Sequence, residues 1–191
     1  MRIIAGASKG KTLFSPPHQT RPTSDRAREG LFSSLESEFG SMEGLHVLDL
    51  FAGSGAVGVE ALSRGASIVH AVEKDESASA VCARNFDLVP HQNNQSHIFR
   101  MSAAIFVHDN RGIKYDIIFM DPPYEVANEN IEKLLTDIHI NELLQPRGIV
   151  AIERATKSNA FSWPEPFVLE KIRSYGQGSI FYGGYSASVL P

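Results

Sequence analysis

Leu45-His46-Val47-Leu48-Asp49-Leu50-Phe51-Ala52-Gly53-Ser54-Gly55-Ala56-Val57-Gly58-Val59-Glu60-Ala61-Leu62 decides the architecture. Its first seven residues form a short run rich in leucine, valine and aromatic side chains around one acid, as a buried strand does, and the run stops abruptly at a glycine turn. Residues 56–64 then continue as a helix. Working outward, the same alternation recurs: strands are expected at 67–73, 97–100, 115–120 and 148–153, with helices at 76–86, 102–107 and 128–139. Such alternation demands a parallel sheet with helices on both faces, because each parallel crossover needs a long connection. After Pro166 the pattern changes to two runs, 167–174 and 179–182, separated by Tyr175-Gly176-Gln177-Gly178, which predicts an antiparallel hairpin at the end of the sheet.

Ahead of the first core strand, residues 2–5 and 11–14 are expected to pair across the glycine-rich turn Gly6-Ala7-Ser8-Lys9-Gly10. A proline-containing loop follows, and Thr23 or Ser24 caps a helix with apolar positions Ala27, Leu31 and Leu35, ending at Gly40. The expected organisation is therefore a hairpin and helix over residues 1–40, joined to an α/β domain over 41–191.

At 191 residues the chain suits one α/β domain with a small appendage and has no room for a second large one. There is no apolar stretch of about 20 residues for a membrane span, and the opening residues lack the apolar core of a signal peptide, so the cytoplasm is the expected location. The single cysteine, Cys82, suits a reducing compartment and, between Val81 and Ala83, a packed helix. Seven histidines are scattered without ligand spacing, so no metal site is expected. The net charge of −4 is uneven: residues 1–30 hold six cations, Arg2, Lys9, Lys11, Arg21, Arg26 and Arg28, against Asp25 and Glu29, a local balance of +4 on an acidic remainder. A basic leading segment suits phosphate contact, while the body holds a small cofactor.

Ligands of open parallel sheets bind beyond the carboxyl ends of the strands. Gly53 and Gly55 leave room for a cofactor against the backbone, and Ala52, Ser54 and the first amides of the next helix complete that loop. Glu73, twenty residues after Gly53, ends the next strand and can accept both hydroxyls of a ribose. The stretch 53–58 also fits the G-x-G-x-x-G pattern of dinucleotide sites. Asp49, just ahead of the glycines, suits a cofactor with a cationic amino group, S-adenosylmethionine, better than one with a pyrophosphate.

The second decisive string is Asp121-Pro122-Pro123-Tyr124, directly after the apolar run 115–120. An exocyclic amino nitrogen of a base is a poor nucleophile because its lone pair is delocalised into the ring. The Asp121 carboxylate and the Pro122 carbonyl can each accept one amino hydrogen and so aim that lone pair. Pro122 and Pro123 stiffen the turn, and Tyr124 offers a ring face for stacking. The two strings together point to methyl transfer to a nitrogen.

With these motifs in view, the chain resembles the RsmD-like family of bacterial methyltransferases, which modify N2 of a guanine in small-subunit (16S) ribosomal RNA. The distinctive strings are Arg2-Ile3-Ile4-Ala5-Gly6, the run Arg21-Pro22-Thr23-Ser24-Asp25-Arg26-Ala27-Arg28-Glu29, and Leu31-Phe32. The resemblance implies a Rossmann-like class I S-adenosylmethionine-dependent methyltransferase with a seven-stranded sheet, acting on small-subunit RNA or the 30S particle. It implies Asp49, Gly53 and Gly55 in the cofactor loop, Glu73 on the ribose, residues 121–124 on the target base, and a basic hairpin with Arg2, Lys9 and Lys11 on RNA. Where many relatives carry Asp or Asn to hold adenine, this chain offers only Ser102.

Rival readings are a DNA adenine-N6 or protein glutamine methyltransferase sharing the clamp, an NAD-dependent oxidoreductase, and a non-catalytic RNA-binding module. A DNA enzyme usually needs an added recognition domain, and intact Asp121 and Tyr124 speak against the module. A monomer is expected. Trp163 is read as packing a loop, and Glu153-Arg154, after the last core strand, as able to line the pocket, with a surface ion pair as the preferred reading.

Overall fold

The computed structural model describes residues 1–16, 24–92, 95–110, 112–156 and 161–188. In chain order its elements are α1 (Asp25–Phe39), β1 (His46–Leu50), α2 (Ala56–Ser63), β2 (Ile68–Val72), α3 (Glu76–Phe86), β3 (Ser96–Phe99), α4 (Ala103–Asp109), β4 (Tyr115–Met120), α5 (Asn128–Ile140), β5 (Leu144–Ala155), β6 (Phe167–Tyr175) and β7 (Gly178–Tyr185). The strands form one sheet in the order β3-β2-β1-β4-β5-β7-β6. Strands β1 to β5 run parallel, and β7 lies antiparallel between β5 and β6. The order reverses between β1 and β4, which opens a crevice at their carboxyl ends.

Alternation along each strand fills two layers. Val47, Val69, Ala71, Ile117, Phe119 and Ala151 face one core with α1, α2 and α3. Leu48, Leu50, Ile118, Met120, Val150 and Ile152 face the other with α4 and α5. Cys82 is buried in the first layer, and that burial pushes its thiol pKa up. Among the described residues no helix is long and apolar enough to cross a membrane.

Most expected elements stand within a residue or two of their predicted limits; β7 runs on to Tyr185 instead of ending at 182, and two further differences have a clear cause. The amino-terminal strands do pair antiparallel, but only briefly: Ile3 N donates to Lys11 O at 2.9 Å and Leu13 N to Met1 O at 3.0 Å around the single bridge of Arg2 with Thr12. The amides of Ile4 and Ala5 donate instead to the two carboxylate oxygens of Glu60 on α2, at 2.8 and 2.9 Å, and Ala7 donates to Ser63 O. Backbone donors committed to a neighbouring helix cannot extend a ladder. Gly6, at φ +79°, makes this approach possible, since an added Cβ would run into the Ser63 carbonyl. The second difference is β5, which starts at Leu144 rather than 148. A register shift opposite Tyr115 to Ile117 absorbs the stretch containing Pro146, which reads as a turn in isolation.

Ser24 caps α1 by accepting from Ala27 N, and Gly40 closes it at φ +80°. Its buried stripe, Ala27, Leu31, Phe32 and Leu35, packs into the first core layer, so the leading segment shares a core with the sheet.

Candidate active site

Both sequence strings open into one cavity of about 660 Å³ at the carboxyl ends of β1, β2, β4 and β5. Asp49, Phe51, Ala52, Gly53, Ser54, Glu73 and Ser102 line one arm. Asp121, Pro122, Pro123 and Tyr124 line the other, with walls from Met1, Ser24 and Ala27 of the leading segment and Glu153, Tyr175 and Gly178 of the carboxyl-terminal strands.

The first arm is built by carboxylates that hold backbone amides. Phe51, at φ +72°, turns the chain away from β1, a conformation that costs a bulky residue about 1–3 kcal/mol. The Phe51 and Ala52 amides then both donate to Val72 O on β2. Glu73 accepts from Gly53 N at 2.8 Å through one oxygen and from Asp75 N at 2.8 Å through the other. Gly55 adopts φ +74° against Cys82 and Phe86, where an added Cβ would lie 2.5 Å from the Cys82 sulfur. Asn85 on α3, buried, donates to Ser54 O at 2.8 Å and braces the loop from behind.

Asp49 is 2% exposed and accepts from Gly58 N at 3.2 Å. Burial, opposed by that hydrogen bond and reinforced by the nearby charges of Asp121 and Glu73, pushes its carboxyl up to about 7. Asp49, Glu73 and Asp121, close enough to interact across the two arms, make the field of the cavity negative, which suits a cationic ligand and opposes a pyrophosphate. Ser102 caps α4 by accepting from Ile105 N at 3.3 Å. One acceptor site of that hydroxyl is thus spent on the helix start.

The second arm is held differently. Val126 N donates to Pro123 O, closing the turn after β4. Arg154 on β5, 4% exposed, donates to Val126 O at 3.0 Å and to Pro123 O at 3.4 Å. The expected surface ion pair at Glu153-Arg154 is therefore corrected. Strand alternation sends the two side chains to opposite faces, Arg154 under the Asp121–Tyr124 turn and Glu153 onto the cavity wall. Tyr124 is 47% exposed at the cavity mouth. Trp163 packs against Phe161 and Phe167 and covers Gly183, as a loop-packing residue does.

The basic segment divides. Arg2, Lys9, Lys11 and Arg26 are exposed, with the Lys11 ammonium also donating to Leu88 O at 2.6 Å. Arg21 lies outside the described residues. Arg28 is a correction: at 0% exposure it pairs with Asp25 at 3.0 Å, donates to Arg2 O and lies 3.9 Å from Glu60. With Glu60 tied to Arg64, and Arg64 to Glu36, it belongs to an ion-pair network that fastens α1 and the first residues to α2. A guanidinium so enclosed cannot meet a phosphate.

Residues 1–183 match the family described as "Conserved hypothetical protein 95". The chain belongs to this family, the RsmD-like one. Among its relatives is ribosomal RNA small subunit methyltransferase D of Haemophilus influenzae, 31% identical over 92% of this chain and 89% of that protein. The protein of the same name from Escherichia coli K12 is 30% identical over 93% and 86%. Among solved structures, yhhF from Escherichia coli superposes with a TM-score of 0.82 at 27% identity, covering 97% of this chain and 98% of the other. The RsmD-like fold here is thus that of the S-adenosylmethionine-dependent methyltransferases, Rossmann-like and α/β, with an antiparallel hairpin closing the sheet.

Proposed function

We propose that this chain transfers a methyl group from S-adenosylmethionine to N2 of a guanine in small-subunit ribosomal RNA. One observation carries the reading: a single cavity joins the glycine turn after β1 to the Asp121–Tyr124 turn after β4, so a bound cofactor and an entering base share one space. The relatives' names supply the RNA. The cavity supports the cofactor on its own terms, through a buried acid whose carboxyl is pushed up to about 7 and which a cation draws to its charged form, and through a second carboxylate at the ribose end.

S-adenosylmethionine, bound there, supplies an electrophilic methyl on a positively charged sulfur. Asp49 holds the amino group of the cofactor by charge. Glu73 spends one acceptor site of each oxygen on Gly53 and Asp75, and the remaining lone pairs accept ribose hydroxyls. Ala52, Gly53 and Ser54 supply the surface the cofactor lies on, and the amide side of the Ser102 cap meets the adenine. Gly55 faces Cys82 and Phe86 and shapes the turn from behind instead of lining the cavity as the sequence suggested.

On the other arm, Asp121 and the Pro122 carbonyl accept the two N2 hydrogens, which favours a tetrahedral nitrogen with its lone pair directed at the methyl. Pro123 stiffens the turn, and Arg154 fixes it from beneath. Tyr124 stacks on the base for about 1–3 kcal/mol. A paired guanine is first flipped out of its helix. No strong base is needed, because the proton becomes acidic once the nitrogen is methylated. Alignment of the reactants contributes up to about 7–11 kcal/mol of the barrier reduction.

Residues 1–40 serve as the docking part, with Arg2, Lys9, Lys11 and Arg26 on phosphates, and 41–191 as the methyl-transfer part. Nucleoside mass spectrometry of small-subunit RNA from cells with and without the protein tests the proposal. The expected result is one N2-methylguanine lost with the gene and restored by it; an unchanged nucleoside profile contradicts the reading.

A further inference from the structure

Glu153 stands on the wall of the base-side arm beside Tyr175 and Gly178. Met120 pairs with Ile152 in the parallel ladder, so one residue further along each strand Asp121 and Glu153 are neighbours. Adjacent strands run about 4.8 Å apart. The two side chains thus start from adjacent strand ends, and two carboxylates lining one cavity match two adjacent hydrogen-bond donors better than one.

Three bases carry an exocyclic amine, and they differ in what lies next to it. Adenine and cytosine present a ring nitrogen lone pair beside the amino group. Guanine alone presents a ring N–H, at N1, beside N2. A carboxylate facing that position accepts from guanine and repels the lone pair of the other two.

We infer that Glu153 is the specificity-determining residue, accepting the guanine N1–H while Asp121 and the Pro122 carbonyl hold N2. This rests on the methyl-transfer reading above and adds the choice of base to it. Tyr175 walls the same side and is itself set against α1, where an added Cβ at Gly30 would collide with its ring. Gly178 leaves the space that the Glu153 carboxylate uses, because a Cβ there would lie 2.8 Å from Glu153 Oε1.

The test uses the full-length protein and small-subunit RNA carrying either guanine or 2-aminopurine at the mapped target position. 2-Aminopurine keeps the 2-amino group and lacks the N1–H. Wild type is expected to methylate guanine roughly 10- to 100-fold faster than 2-aminopurine, the usual worth of a hydrogen bond to a charged group. Glu153→Ala should lower the guanine rate and shrink the guanine-to-2-aminopurine ratio by that same factor, roughly 10- to 100-fold relative to wild type, with cofactor affinity unchanged by calorimetry. Contacts to O6 affect both enzymes alike and cancel in the comparison. Gly178→Ala, which displaces the carboxylate without removing it, should also reduce the ratio and serves if Glu153→Ala does not fold. A wild-type enzyme that methylates guanine while Glu153→Ala or Gly178→Ala keeps the full ratio overturns the role of Glu153 and leaves the proposed function standing. Absence of guanine methylation by wild type overturns both.

Discussion

The turn after β1 and the turn after β4 lie side by side at the crevice, yet the first is held by acids that accept from amides and the second by a cation that donates to carbonyls. Glu73 takes Gly53 N and Asp49 takes Gly58 N. Arg154 gives to Val126 O and Pro123 O. Each anchor determines what its turn offers a ligand. On the first side the anchoring groups are themselves the negative wall, so support and recognition reside in the same residues. On the second side the anchor is buried beneath the turn and the recognising groups, Asp121 and Pro122, are separate from it. Damage to the first turn should therefore appear in binding, and damage to the second in the rate of transfer.

Replacing Asp121 gives the largest expected break. Asp121→Ala should lower the single-turnover methylation rate by about 100- to 1,000-fold, the range for losing one preorganised partner of the reacting group, with cofactor affinity intact. A near wild-type rate would remove the clamp from the account.

Asp49→Asn comes next and should reverse the pattern, weakening cofactor binding on the order of 100-fold in a calorimetric titration. The same residue predicts a pH dependence. In the free protein the carboxyl titrates at about 7, and a bound cation lowers that value because it favours the carboxylate. Affinity is then fully present above about 7 and declines as pH falls below it, by up to about tenfold per unit. The Asn variant should show a flat profile over the same range.

Arg154→Met sharpens the contrast with a smaller effect. Two carbonyls lose a buried donor, at about 1–3 kcal/mol each. A melting temperature lower by several degrees is expected, with kcat down about tenfold and cofactor affinity unchanged; Arg154→Lys should recover part of the rate. Equal losses of binding and rate would make Arg154 a general structural residue.

Reversing charge at Lys9 and Lys11 should have the least effect on chemistry. With a saturating RNA the transfer rate holds, while RNA affinity falls and the slope of log affinity against log salt shrinks by about one unit per lost phosphate contact. An unchanged slope would place RNA docking elsewhere.

Much of this was legible in the chain because it is local. The β1 turn and the Asp121–Tyr124 turn each sit where a short, nearly continuous apolar run ends, and both side chains and backbone act within a few residues of that end. Arg154 and Glu153 were legible only as a pair near the pocket; which one lines it and which one braces the turn depends on β5 lying next to β4 and on alternation sending neighbours to opposite faces. Charge counting grouped Arg28 with Lys9, although Glu60, 32 positions away, makes the first a buried anchor and leaves the second exposed. The amino-terminal pairing forms around Arg2 and Thr12 but stops after Ile3 for a similar reason: the acceptor that claims Ile4 and Ala5 is the same Glu60, on an element the local pattern does not see.

A crystal structure with S-adenosylhomocysteine bound tests the central geometry most directly. The account predicts density along Gly53 to Gly55, the amino group against Asp49, the ribose at Glu73 and the sulfur turned toward Asp121. A ligand seated elsewhere, or a sulfur facing away from Asp121, contradicts it.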